Sequence, residues 1–182
     1  MHIAIRLQRL GLAARSALPE HPMEEDVRAL GCLLTASLLL AGCASVPLAG
    51  PAADAEGKRF DPPAPGQSVL YLYRSSLVGS EVAFSLADNQ QPIGALADKT
   101  WIRVEVAPGW HVITCNAPSY APLTQTPAQA ATVDIAPGET RFLEVDVWPG
   151  LPLNPRCTAT EVSADKGRAG VASGNRAVAS RS

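Results

Sequence analysis

From Ser68 onward apolar and polar residues follow the two-residue period of β-strands, and no stretch after residue 43 holds a helical period of useful length. Val69-Leu70-Tyr71-Leu72-Tyr73, within Ser68 to Arg74, is apolar on both faces, which predicts an inner strand. Glu81 to Ala87 alternates with Val82, Phe84 and Leu86 on one side, and Asp88-Asn89-Gln90-Gln91 turns it into Pro92 to Leu96. Trp101 to Val106 sets Ile102, Val104 and Val106 against Trp101, Arg103 and Glu105. Trp110 to Cys115, Ala131 to Ile135, Thr140 to Trp148 and Arg156 to Val162 complete the set. The prediction is an all-β fold, a small antiparallel β-sandwich of about seven or eight strands over residues 68–162. Residues 117–130 carry Pro118, Pro122 and Pro127 and are expected as a long loop.

The Pro-Gly dipeptides suggest registers. An even loop at Pro108-Gly109 would pair Val106 with His111, Val104 with Ile113 and Ile102 with Cys115, all facing the core. At Ala136-Pro137-Gly138-Glu139 an odd loop would pair Val133 with Leu143 and Ala131 with Val145, with a bulge. The likeness of the two segments is read as repeated hairpin chemistry.

Upstream lies a different pattern. Ala29 to Leu40 is uncharged, mostly Leu and Ala, and ends in Leu40-Ala41-Gly42-Cys43. A twelve-residue run of this kind is too short to span a bilayer as a helix and is the length of a signal-peptide core. The motif resembles the lipobox of bacterial lipoproteins, with Cys43 in the invariant place. That resemblance implies cleavage between Gly42 and Cys43, a diacylglyceryl group on the Cys43 thiol and acylation of its amine. Several chains at about 0.8 kcal/mol per buried methylene make a lasting anchor. In the family an Asp after the lipidated Cys retains the protein in the inner membrane. Ala44 and Ser45 stand here instead, which implies the outer membrane, periplasmic face. Pro19, Pro22, Glu24, Glu25 and Asp26 do not suit the positive head of a leader. A start at Val27 would supply one, so residues 1–26 are read as an extension from a misplaced start and residues 27–42 as the signal peptide. A long natural leader is the alternative.

Residues 43–67 are rich in Ala, Pro and Gly and are expected as the lipidated Cys and a flexible tether. Residues 163–182, aromatic-free with a net charge of +3, are expected as a disordered, solvated basic tail, with contact to anionic lipid or peptidoglycan as the alternative. All nine aromatics fall between Phe60 and Trp148. The whole chain has 182 residues and a net charge of −2, which excludes a large basic footprint for nucleic acid.

Of four cysteines, Cys32 leaves with the leader and Cys43 takes lipid. The remaining two, in an exported chain, are expected as a Cys115–Cys157 disulfide, with two buried thiols as the alternative. No metal-ligand cluster, phosphate-binding loop or cofactor motif is present in the sequence. His111 is the one histidine left after processing. A Ser119/His111/Asp134 triad can be drawn, but nothing supplies a nucleophile elbow, so His111 is read as an inward structural residue and no catalytic residue is assigned. Glu144, Asp146 and Glu105 are read as solvent-facing carboxylates, and Arg74 as a strand-end arginine that pairs with Glu81 or caps an anion. Trp101 and Trp110 are expected together on an outer face, as a contact surface or beneath a second layer.

Leu70 to Arg74, Ile93 to Leu96, Trp101 to Val106, Ala107-Pro108-Gly109-Trp110-His111 and the strand before Pro137-Gly138 resemble a family of small bacterial lipoprotein domains of unknown function. The Pro-Gly-x-His turn also resembles PEGA surface-layer domains. The resemblance implies a compact sandwich on a lipid anchor and no established activity. The leading expectation is a non-enzymatic binding or structural module, with envelope proteins or peptidoglycan as partners. A small-ligand or inhibitor-binding domain is second, and an envelope hydrolase is a weak third.

Overall fold

In a computed structural model the described residues are 45–76, 79–80, 82–117, 129–148 and 156–180. They form a two-layer β-sandwich with two short helices. The strands are β1 (Ser68–Arg74), β2 (Phe84–Asp88), β3 (Gln91–Leu96), β4 (Thr100–Val106) and β5 (Gly109–Asn116). They continue with β6 (Gln129–Ile135), β7 (Thr140–Trp148), β8 (Arg156–Val162) and β9 (Asn175–Arg176). The helices are α1 (Pro51–Gly57) and α2 (Ala164–Ala172). One sheet has the order β8-β7-β1-β4-β9, the other β3-β2-β5-β6. The first is mixed rather than purely antiparallel, because β1 runs parallel to β7 and β4 parallel to β9.

The expected inner strand is β1, buried at every position. Leu70 and Leu72 point between the sheets with Phe84, Leu86, Ile102, Ile113, Val133 and Val145, while Val69, Tyr71 and Tyr73 point the other way. The β2–β3 hairpin turns at Asn89 and Gln90, both with positive φ (47° and 69°), as a two-residue turn between right-twisted strands requires.

Neither Pro-Gly segment makes a hairpin. Strand β4 pairs with β1 and β9, and β5 with β2 and β6. The Ala107-Pro108 link therefore crosses from one sheet to the other. The link from β6 to β7 crosses back, so the expected pairs Val106–His111 and Val133–Leu143 do not form. Ile102, Val104, Val106, His111, Ile113 and Cys115 are nonetheless all buried. Alternation assigned these residues their face, and that assignment is independent of which strand lies alongside.

The flanking segments are corrected most. Residues from Val46 onward are no slack tether, and the chain after Ser163 is no disordered tail. Leu48 bridges Ala177, Ala49 N donates to Arg176 O (2.8 Å), and Val178 N donates to Pro47 O (2.8 Å). Lys58 Nζ donates to Asp54 Oδ2 and to Gly174 O, each at 2.7 Å, and Arg176 N donates to Asp54 Oδ1 at 2.7 Å. Both helices cover the outer face of the five-stranded sheet. There Tyr71 stacks on Phe142 (5.1 Å between centroids), Phe60 closes on both, and Trp101 lies 5.9 Å from Tyr71.

Glycine makes this cover fit. A Cβ at Gly57 would overlap the Trp101 ring, one at Gly167 the Phe142 ring, and one at Gly170 the Tyr73 ring. The helix backbones thus sit directly on aromatic faces. Gly170→Ala is expected to lower unfolding stability by about 1–3 kcal/mol, whereas Ala169→Ser on the exposed side should stay within about 0.5 kcal/mol. Chemical denaturation of the two variants beside the wild type checks this.

Candidate functional site

Cys115 on β5 and Cys157 on β8 form a disulfide with a Cα–Cα distance of 5.9 Å. It ties one sheet to the other, in the core that both share. Closing a sequence separation of 42 residues restricts the unfolded chain by about 4 kcal/mol on the chain-entropy account.

His111 faces inward as expected. Its Nδ1 lies 2.9 Å from Asp88 Oδ1 at the end of β2, and its Nε2 2.8 Å from Ala107 O in the first crossing. The ring is held at both nitrogens, and it locks the crossing against the β2 end. Asp134 is exposed on β6 while His111 is buried. Ser119 lies outside the described residues, as do Glu81, Gly42 and Cys43. Arg74 is buried; its Nη1 donates to Val82 O (2.7 Å) and its Nη2 to Gly79 O (2.6 Å), with the guanidinium 5.4 Å from the Phe84 ring centre. It holds the chain entering β2. Glu105 is exposed and pairs with Arg103 at 3.0 Å.

Two placements differ from expectation. Trp101 is fully buried (0% exposed) beneath α1, with the Arg176 guanidinium 5.6 Å from its ring centre, whereas Trp110 is 69% exposed. They lie in different sheets, because the chain crosses between them, so no Trp101/Trp110 face exists. Trp110 instead shares β5 with exposed Val112, and Ser85, Thr132 and Asp134 are exposed on the same sheet. Asn89 supports that strand: Val112 N donates to its Oδ1 at 3.1 Å.

Glu144 and Asp146 are also not simply solvent-facing. Lys166 of α2 places Nζ 2.6 Å from Glu144 Oε2, and Ser75 Oγ donates to Glu144 Oε1 at 3.0 Å. Burial, then the charges of Glu144 and Asp146, push the Tyr73 hydroxyl up to about 12. Burial and the neighbouring Glu144 charge raise the Asp146 carboxyl above its ordinary value. Across the same sheet, burial raises Asp54, but hydrogen bonds from Lys58 and the Arg176 N–H outweigh it and leave the carboxyl below its ordinary value. The alternation of β7 located both carboxylates on one face; the covering helix, whose Lys166 meets them, left no periodic signal.

A polar pocket of about 270 Å³ lies between α1 and β4, lined by residues including Glu56, Asp61, Tyr71, Arg103 and Arg176. Its charges are of both signs, and Arg103 is already paired with Glu105. Among the described residues no three His, Cys, Asp or Glu side chains converge as metal ligands.

No family model matches the chain, and no solved structure matches it. An uncharacterized protein of Haemophilus influenzae is 31% identical over 85 residues, 47% of this chain. The chain spans about half (51%) of that relative's length.

Reduction of the disulfide should cost about 4 kcal/mol, read as a lower denaturation midpoint with dithiothreitol than without. Asp146→Asn should raise the melting temperature at neutral pH, because it removes a half-buried charge beside Glu144. A raised carboxyl makes the native state bind its proton first, so wild-type stability recovers as pH falls through that group's folded value. The advantage of the Asn variant should therefore shrink on acidification, as a series of melts between neutral and acidic pH would show.

Proposed function

We propose that the protein is a lipid-anchored envelope lipoprotein at the periplasmic face of the outer membrane, acting there as a non-enzymatic binding or structural module. The carrying observation is the lipobox Leu40-Ala41-Gly42-Cys43 at the end of an uncharged run. The Cys115–Cys157 disulfide supports export, since such bonds persist in oxidising compartments and are rare in the cytosol. The absence of Asp after Cys43 supports the outer membrane.

The module reading is supported by how the polar side chains are used. His111, Arg74 and Glu144 are each engaged in holding elements together. The four-stranded sheet offers the contact surface, with Trp110 and Val112 exposed on β5. An exposed tryptophan beside a second apolar residue suits a partner contact. A small-ligand role would use this Trp110 face without Trp101. Envelope proteins and peptidoglycan are the partner classes.

Cys43→Ala should abolish palmitate incorporation and accumulate unprocessed precursor, read by metabolic labelling and by mass. Normal maturation of that variant would overturn the lipoprotein reading.

A further inference from the structure

The domain's attachment to Cys43 is short. Val46 packs against the sandwich core, and Pro47, Leu48 and Ala49 are paired with residues 176–178. Only Ala44 and Ser45 separate Cys43 from Val46. Three Cα steps reach at most about 11 Å, so an anchor on Cys43 brings this end of the sandwich to the lipid surface.

That end has the surface chemistry for contact with lipid. An open groove of about 480 Å³ lies there, walled by Val46 and Pro47, by Leu86 of β2, by Pro92 of β3, and by Val178 and Ala179. None of the residues lining it is charged, so laying it against a bilayer strips water from no ionised group of the lining. Leu48 (54% exposed) and Val178 (52%) are two of the large exposed apolar residues, and they sit in the same paired segment. The last described residues return to this place, with Ser180 N donating to Ile93 O at 3.0 Å.

We propose that the face formed by residues 46–48, residues 178–180 and the adjoining parts of β2 and β3 lies against the bilayer that holds the anchor. The proposal rests on lipidation of Cys43. It gives the domain a fixed orientation: β6, at the opposite edge of the four-stranded sheet from β3, faces away from the membrane.

The test uses the full chain, expressed and processed in a bacterium, purified with its native disulfide oxidised, and reconstituted into phosphatidylethanolamine/phosphatidylglycerol vesicles. Leu48→Cys, Val178→Cys and the β6 control Thr132→Cys each receive a thiol-specific spin label. Intact mass confirms the lipid on Cys43. Collision rates with oxygen, which concentrates in lipid, and with a water-soluble nickel chelate then report each position. Labels at 48 and 178 should favour oxygen, and the label at 132 should favour nickel. Lipid present with 48 and 178 as nickel-accessible as 132 overturns this orientation alone. Shielding of 48 and 178 from both reagents also overturns it, in favour of a protein contact. A processed chain without lipid overturns the anchor and the orientation together.

Discussion

Strand β1 has no solvent side, and the architecture answers that constraint. Its inner residues Leu70 and Leu72 are buried by the opposing sheet. Its outer residues Val69, Tyr71 and Tyr73, with Trp101 and Phe142 from the flanking strands, form a second apolar layer that needs its own cover. Exposing those rings would forfeit burial worth about 1.5–3 kcal/mol for each large side chain. The segments before and after the sandwich supply the cover. Phe60 enters the ring cluster, α1 lies on Trp101, and α2 lies on Tyr73 and Phe142. The Arg168 guanidinium, 5.5 Å from the Phe60 ring centre, joins one flank to the other.

The same cover changes the electrostatics of the sheet beneath it. Seating α2 brings Lys166 to Glu144 and leaves Asp146 partly dehydrated beside a like charge. Seating α1 brings Asp54 to Lys58 and to the backbone of Arg176, so a carboxylate joins helix to β9. The four-stranded sheet has no helix over it among the described residues, and Trp110 and Val112 stay exposed. The sandwich is thus finished on one outer face and open on the other. That asymmetry leaves the open sheet for the proposed partner contact, and the end where the flanking segments meet for the proposed lipid contact.

The proposed function rests on a pattern that reads as an address. The Leu40-Ala41-Gly42-Cys43 segment is a local pattern, and its resemblance to a lipobox needs no fold. The cysteine pair could be reached by removing Cys32 and Cys43 from the count, and it spans the two sheets. The tryptophan pair could not be judged in this way. Trp101 and Trp110 are near in sequence, and only the crossing at Ala107-Pro108 sends one beneath a helix and the other into solvent.

Which residues are strands, and which of their faces are buried, could be read from the linear chain, because a two-residue alternation is a local property of extended backbone. Strand partners could not. A Pro-Gly link serves a hairpin or a sheet crossing equally, and the choice depends on which distant strands flank β1. Nor could the pattern announce the helices. They are seven and nine residues long, too short to form alone, and they meet the sheet through glycines and the single buried Val171 in place of an apolar stripe. Gly57, Gly167 and Gly170 read as flexibility in a linear chain; against Trp101, Phe142 and Tyr73 they are the residues that let backbone and ring touch.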